Sequence, residues 1–226
     1  MDQNEAKLRA ARAAVAELPP AGGLGLGTGS TAKLFIDEVG ALVRAGRAYV
    51  GVPTSAASRA QAEALGIALA SDDGPWDIEV CVDGADEVDE QLNVIKGGGG
   101  ALTREKMVNH AARRNILIVD RSKLSRRLGE RWPVPVEVLR FGHGATARAL
   151  SHLGEPVLRV RDGAPFVTDA GGLIYDLRCG VIDDPAALER AIELTPGVVA
   201  SGLFVARASL VLVADESGVT SLHPPR

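Results

Sequence analysis

Side chains suited to proton transfer lie close together between positions 82 and 106. Asp83 and Asp86 stand three residues apart, Lys96 follows, and Glu105 comes soon after four consecutive glycines. Carboxylates beside a lysine suit general acid–base chemistry on a polyol, because a carboxylate can accept a proton while an ammonium stabilises negative charge on oxygen. We therefore interpret these four residues as candidates for a catalytic or binding site.

Two other interpretations of this acidic stretch remain open at the level of the residues. Asp-rich loops also bind magnesium, and many acidic loops are simply solvated. We expect the solvated interpretation to hold for Glu87, Asp89 and Glu90.

Two glycine-rich segments can bring backbone close to a small ligand. In GLGTGST (25–31), Thr28, Ser30 and Thr31 can donate hydroxyl hydrogen bonds to an oxyanion at a helix N-terminus, which favours phosphate binding over a plain helix cap. Its glycines alternate strictly and no lysine follows in Walker spacing, so a nucleoside-triphosphate loop is excluded. We expect KGGGG (96–100) to close against a ligand rather than form a disordered loop, since it is short and lies between structured elements.

The chemically promising motifs each follow a predicted strand. TGST follows AGGLGLG, DGAD follows DIEVCV, and DRSK, which contains Lys123, follows NILIVD. Strands that alternate with helices indicate βαβ units and a mainly parallel sheet, in which ligands bind beyond the carboxyl ends of the strands. We expect these three motifs to face one crevice.

The pattern of elements changes after Pro133. We predict an α/β fold: a mainly parallel, Rossmann-like sheet with helices on both faces, formed by residues 1–131 and 207–226. A smaller α+β, ferredoxin-like module is inserted at 132–206. The tail reads as a hairpin that rejoins the first sheet.

The composition excludes several classes of protein. The chain has 226 residues, 46% of them hydrophobic, and a net charge of −4 without clustered Lys and Arg, so we expect no nucleic-acid partner. No apolar run reaches transmembrane length and the N-terminus is too polar for a signal peptide, so we expect no membrane partner. Two cysteines without paired spacing fit a reducing cytoplasm.

Taken together, GLGTGST, DGADEVD, KGGGGALTREK and VDRSK resemble ribose-5-phosphate isomerase, type A, over nearly the whole chain. The resemblance implies interconversion of D-ribose 5-phosphate and D-ribulose 5-phosphate in the pentose phosphate pathway, without a metal or other cofactor. It also implies a small-molecule sugar phosphate as the partner and a homodimer or homotetramer.

The resemblance also implies roles for individual residues. Glu105 is the expected proton acceptor, Asp83 a candidate for opening the sugar ring, and Lys96 the stabiliser of the enediolate oxygen. Which of Lys7, Lys123 and the hydroxyls of TGST contact phosphate stays open. The expected substrate-binding residues are Thr28, Gly29, Ser30, Thr31, Asp83, Gly84, Ala85, Asp86, Lys96, Gly97, Gly98, Gly99 and Lys123.

Rival functions make different demands on the sequence. A non-catalytic sugar-phosphate sensor has no use for a base at Glu105. An amino-sugar-phosphate isomerase or deaminase shares the fold, and an acyl-CoA transferase would need a glutamate nucleophile and a CoA groove, neither of which is identifiable. A dinucleotide-dependent oxidoreductase is excluded by the glycine spacing.

Overall fold

The computed structural model describes residues 3–225. Within them, contacts between Cα atoms define two compact units: the described parts of Met1–Gly84, Met107–Lys123 and Arg207–Arg226 form the first, and Ala85–Lys106 and Leu124–Ala206 form the second. The helices are α1 (Gln3–Ala16), α2 (Ser30–Arg44), α3 (Ala56–Ala64), α4 (Leu102–Ala111), α5 (His143–Leu150) and α6 (Pro185–Glu193). The strands are β1 (Gly22–Leu26), β2 (Tyr49–Pro53), β3 (Ala68–Leu69), β4 (Ile78–Asp83), β5 (Glu87–Val88), β6 (Val94–Ile95), β7 (Ala112–Asp120), β8 (Val134–Val138), β9 (Glu155–Leu158), β10 (Val160–Arg161), β11 (Ala164–Pro165), β12 (Leu173–Arg178), β13 (Val198–Ser201), β14 (Leu203–Phe204), β15 (Leu210–Asp215) and β16 (Gly218–Leu222).

The first unit is built on a seven-stranded sheet in the order β16-β15-β7-β4-β1-β2-β3. Every neighbouring pair is parallel except β15 and β16, which form the antiparallel hairpin expected at the end of the chain. The predicted mainly parallel sheet is therefore confirmed. Because β7, β4 and β1 are adjacent and parallel, the segments that follow them leave the sheet at the same edge.

Helices cover both faces of this sheet because the central strands are apolar on both sides. On β4, Val80 and Val82 belong to the core cluster that contains residues of α1 and α2, including Phe35. Cys81, which points to the opposite face, packs in a second cluster with Val108 of α4. Strands buried on both faces read as continuous hydrophobic runs, which is why DIEVCV and NILIVD were recognisable.

The second unit contains a four-stranded antiparallel sheet in the order β13-β8-β12-β9. With α5 between β8 and β9, and α6 between β12 and β13, it has the βαββαβ order of a ferredoxin-like module, as predicted. Asp184 caps α6 by accepting a hydrogen bond from the backbone N–H of Ala187 at 3.0 Å.

The second unit extends beyond the module predicted at 132–206. It also includes residues 85–106 and 124–131. The first of these segments contains β5 and β6, which form a three-stranded sheet with β14 in the order β14-β6-β5. Strands β5 and β6 have two residues each, so neither shows a hydrophobic period in the sequence. The short strand β13 was also not predicted.

Candidate active site

Asp83, the last residue of β4, is held against the loop that follows β1. Its Oδ1 accepts hydrogen bonds from the backbone N–H of Thr28 at 3.0 Å and of Gly84 at 2.7 Å. Gly27 makes this contact possible, because a Cβ at that position would lie 2.2 Å from the same oxygen. The structure thus brings together two motifs that are about 55 residues apart in sequence.

The hydroxyl of Thr28 belongs to a cluster of hydroxyl groups at the start of α3. Its Oγ1 lies 2.7 Å from Oγ1 of Thr54 and 2.9 Å from Oγ of Ser55. Ser58 extends the cluster and donates to the carbonyl of Gly27 at 2.6 Å. Ser55 is also the N-cap of α3, where its Oγ accepts a hydrogen bond from the backbone N–H of Ser58 at 3.1 Å. The cluster therefore holds the loop between β1 and α2 by the side chain of Thr28 and by the backbone carbonyl of Gly27.

The N-terminus of α2 presents the remaining residues of TGST. Gly29 has φ +108°, a conformation that L side chains rarely adopt, and the first turn begins at Ser30. Ser30 is exposed and Thr31 is half-buried. The N-cap residue, Gly29, has no side chain that could cap this helix. The first backbone N–H groups of a helix lack intrahelical partners, so this end of α2 suits an anion.

Lys123 closes a short 3-10 helix, Arg121–Lys123, directly after β7. Asp120, the last residue of β7, organises this turn by accepting a hydrogen bond from the backbone N–H of Ser122 at 2.9 Å. DRSK therefore follows the strand next to β4, as the sequence predicted. Lys7 of α1 is half-buried.

In the second unit, Lys96 and Glu105 form a buried ion pair. Nζ of Lys96 lies 3.7 Å from Oε1 of Glu105, and the two residues are only 3% and 5% exposed. Lys96 follows β6, and its backbone N–H donates to the carbonyl of Gly202 at 2.8 Å. Glu105 lies in the first turn of α4. A carboxylate and an ammonium are thus held together with little solvent around them.

The glycines between these two residues form a loop that is fixed through its backbone. The N–H of Gly98 donates to Oδ2 of Asp86 at 2.7 Å, and a Cβ on Gly98 would lie 2.7 Å from the other oxygen of that carboxylate. Gly97 has φ +103°, and its carbonyl accepts from the N–H of Gly100 at 3.0 Å. Gly99 is exposed.

Arg159, which lies between β9 and β10, holds the same glycine loop. Its Nη1 donates to the carbonyl of Gly97 at 2.8 Å and to that of Gly98 at 3.3 Å, while its Nε donates to Asp176 at 2.9 Å. The guanidinium fork suits such a bridge, because its donors point in fixed directions. Sequence reasoning missed Arg159, since no local motif links it to residues more than 60 positions earlier.

The residues on either side of Glu105 are anchored within the second unit. The hydroxyl of Thr103 donates to Oε2 of Glu137 at 2.5 Å, and Glu137 is buried. Lys106 donates to Glu189 at 2.7 Å and to Glu193 at 2.5 Å. Burial alone would raise the pKa of Glu193, but the hydrogen bond and charge of Lys106, together with hydrogen bonds from Ser201, outweigh it and lower that pKa. These contacts fix the turn of α4 that carries Glu105.

Two of the three acids expected to be solvated are buried instead. Glu87 is fully buried and accepts backbone N–H bonds from Gly129 at 3.0 Å and from Trp132 at 3.3 Å. Asp89 closes a turn by accepting the N–H of Asn93 at 2.7 Å. The prediction was wrong for both because their partners are mainly backbone N–H groups, which leave no mark in the sequence; Asp89 also accepts from the side-chain amide of Asn93 at 2.9 Å. Glu90 is exposed, as expected.

Within residues 3–225, no three or more His, Cys, Asp or Glu side chains are grouped so that they could hold a metal ion. No helix in the described chain is long and apolar enough to cross a membrane.

Comparison with known proteins points to one family. The family described as ribose 5-phosphate isomerase A (phosphoriboisomerase A) matches residues 50–218. A ribose-5-phosphate isomerase A from Rhodopseudomonas palustris (strain TIE-1) is 48% identical over 231 residues, which covers 99% of each chain. The solved structure of ribose 5-phosphate isomerase A from Methanocaldococcus jannaschii is 40% identical, with a TM-score of 0.94 and coverage of 98% of this chain and all of the other. A D-ribose-5-phosphate isomerase in complex with phospho-erythronic acid is 38% identical, with a TM-score of 0.93 and coverage of 99% and 100%.

Proposed function

The chain belongs to the ribose-5-phosphate isomerase A family and is an aldose–ketose isomerase of ribose 5-phosphate and ribulose 5-phosphate, and we propose that Glu105, Lys96 and Asp83 carry out the reaction without a metal ion. The buried Lys96–Glu105 pair is the observation that supports this proposal most strongly. It supplies a base and a cation within one small volume. The phospho-erythronic acid bound by the similar isomerase is itself a small phosphorylated polyol acid, which supports a sugar phosphate as the substrate here.

Glu105 is the proposed base that moves the proton between C2 and C1. Its carboxylate takes the proton from C2 of the open-chain aldose, and the electron pair of that C–H bond forms a C1–C2 double bond while the carbonyl pair moves to O1. The same carboxyl then returns the proton to C1, O2 loses its proton to become the ketone oxygen, and O1 gains a proton. A positioned general base typically contributes about 10²–10⁴ in rate.

Lys96 is the proposed stabiliser of the enediolate. An ammonium acts most strongly on a developing oxyanion where water is excluded and where no reorganisation is needed during the reaction. Lys96 is buried and its backbone is fixed by Gly202, which supports such a preorganised role.

The remaining site residues are proposed to open, bind and orient the sugar. Asp83 passes a proton between the ring oxygen and the anomeric hydroxyl, with its carboxylate set by Thr28 and Gly84. Asp86 acts mainly by holding the glycine loop, so that the backbone of that loop can approach the substrate. The other proposed substrate-binding residues are Thr28, Gly29, Ser30, Thr31, Gly84, Ala85, Gly97, Gly98, Gly99 and Lys123.

The pathway, cellular location and oligomeric state are proposed on the same basis. We place the enzyme in the non-oxidative branch of the pentose phosphate pathway, in the cytoplasm, as a homodimer or homotetramer that needs neither nucleic acid nor membrane. Within residues 3–225 neither Cys81 nor Cys179 forms a disulfide, which fits a reducing compartment. Mass measurement in solution decides between dimer and tetramer, and a monomer at cellular concentrations would contradict the proposal.

The test of the reaction is direct. Purified protein is incubated with ribose 5-phosphate and the ketose is followed, before and after exhaustive EDTA treatment. We expect ribulose 5-phosphate to form at the same rate in both samples. Activity lost with EDTA and restored by magnesium would overturn the metal-independent scheme, whereas no ketose in either sample would overturn the function itself.

A further inference from the structure

The aromatic ring of Phe204 lies against two lysines of the candidate site. Nζ of Lys96 lies 5.7 Å from the ring centroid and Nζ of Lys106 lies 5.2 Å from it. Phe204 is 1% exposed, so the ring and the charges meet away from water. An ammonium within about 6 Å of an aromatic ring is attracted by the negative face of the ring, and more strongly when both are desolvated.

The pairing of β14 with β6 explains why the ring meets Lys96. Phe204 stands opposite Val94, and Leu203 stands opposite Ile95. Lys96 is therefore two residues beyond the residue that pairs with Phe204, on the same face of the ladder, where long side chains reach diagonal neighbours. Gly202 is next to this pair, and a Cβ there would lie 2.3 Å from the carbonyl oxygen of Lys96. The short segment Gly202–Phe204 thus fixes both the backbone and the charge of Lys96.

The N–H donors of Lys106 are all used by groups other than the ring. Lys106 donates to Glu189, Glu193 and Ser201 at 2.7, 2.5 and 3.1 Å, which accounts for the three donors of an ammonium. Carboxylates therefore hold Lys106, and the ring adds little to its position. The ammonium of Lys96 contacts both the carboxylate of Glu105 and the ring.

From this arrangement we infer that Phe204 is a positioning residue for the isomerase reaction, which holds the charged end of Lys96 beside Glu105 through the face of its ring. A ring attracts the cation without accepting a proton and without adding a second negative charge near the base. A carboxylate in its place would compete with Glu105 and with the enediolate for Lys96. This inference rests on the roles proposed for Lys96 and Glu105.

The test varies the electron density of the ring while its size stays nearly constant. Phe204 is replaced by 4-fluoro-, 3,5-difluoro- and 3,4,5-trifluorophenylalanine, and kcat and KM for ribose 5-phosphate are measured. We expect kcat and kcat/KM to fall together, stepwise with each added fluorine, to about a tenth of the wild-type value, in line with the strength of desolvated cation–π contacts. We expect KM to change by less than about twofold.

Phe204→Leu and Phe35→Leu separate positioning from packing. Phe35 is equally buried but belongs to the core of the first unit and has no proposed role in the reaction. We expect both variants to lose thermal stability, but only Phe204→Leu to lose about tenfold in kcat. Equal kcat losses in the two leucine variants would show that Phe204 acts only by packing and would overturn the inference.

Two further results keep this inference distinct from the proposed function. If the wild type isomerises, Glu105→Gln is inactive and the fluorinated series stays within twofold of wild type, the proposed function stands and the role of the ring is overturned. A folded wild type that produces no ketose overturns both.

Discussion

The ammonium of Lys96 lies 3.7 Å from a carboxylate oxygen of Glu105, and both side chains are buried. Two opposite charges out of water stabilise the fold less than their attraction suggests, because each has lost its hydration. In the proposed mechanism their value is functional, because the fold has already met the cost of desolvating a base and a cation before the substrate arrives. Removing one charge takes a buried opposite charge away from the other, which is costly.

Lys96→Met is therefore expected to damage both turnover and stability. Loss of the stabilising cation lowers kcat by about 10²–10³, the range measured for removal of one oxyanion donor. With that cation gone, the buried carboxylate of Glu105 destabilises the fold by about 3 kcal/mol, and the double variant Lys96→Met/Glu105→Gln recovers part of that loss. Steady-state assays measure the effect on kcat, and urea unfolding measures the effect on the free energy of unfolding.

The control for this prediction is Lys33→Met, which alters an exposed lysine of α2. It should leave kcat and the free energy of unfolding within experimental error. A Lys96→Met protein with wild-type turnover would contradict the proposed oxyanion role.

Arg159→Lys is expected to loosen the glycine loop although the positive charge is kept. Lysine cannot reproduce the fork that reaches the carbonyls of Gly97 and Gly98 together with Asp176. We expect kcat/KM to fall about tenfold, which corresponds to about 1.4 kcal/mol of lost transition-state stabilisation. Steady-state kinetics on ribose 5-phosphate measure this.

Arg178→Lys provides the matched control, because Arg178 also pairs with an acid, Glu155, but on the exposed surface. Such pairs contribute little. If the two arginine variants showed the same small effect, the loop would not depend on Arg159.

Gly27→Ala is expected to displace Asp83, since the new methyl group would lie 2.2 Å from its Oδ1. The hydrogen bonds that aim this carboxylate would be lost, and we expect kcat/KM to fall at least tenfold. The factor by which kcat/KM falls should be the same with ribose 5-phosphate and with ribulose 5-phosphate, because the equilibrium constant fixes the ratio of the two values. Assays in both directions measure this.

Gly144→Ala is the corresponding control in helix α5, where a Cβ meets no atom within 4 Å. Alanine there should stabilise the protein by about 0.5–1 kcal/mol and leave turnover unchanged. Equal activity of the two alanine variants would count against the placement of Asp83.

The sequence predicted the parts of the fold that repeat a pattern. Continuous apolar strands identified β4 and β7, and their order in βαβ units placed TGST, DGAD and DRSK at one edge of the sheet. Helix caps such as Asp184 and Ser55 are also local features, because the capping side chain precedes its helix directly.

The contacts that fix the site were not predictable because they join distant positions. Arg159 meets Gly97 across 62 positions, and Glu137 meets Thr103 across 34. Glu87 looked solvated because its partners are backbone N–H groups of residues 129–132. A pattern that spans a few residues carries no information about such pairs. The one local sign of a buried polar contact was a charged residue within an otherwise apolar strand, such as Glu137 in VPVEV.

The most direct test of the central claim is the turnover of Glu105→Gln, with Glu90→Gln as the control from the same acidic segment. Glutamine keeps the size and polarity of Glu105 but cannot accept the C2 proton. We predict that kcat for ribose 5-phosphate falls by at least about 10²–10⁴ in Glu105→Gln while Glu90→Gln, altered at an exposed position, matches the wild type. A folded Glu105→Gln protein with near-wild-type kcat would contradict the assignment of Glu105 as the base.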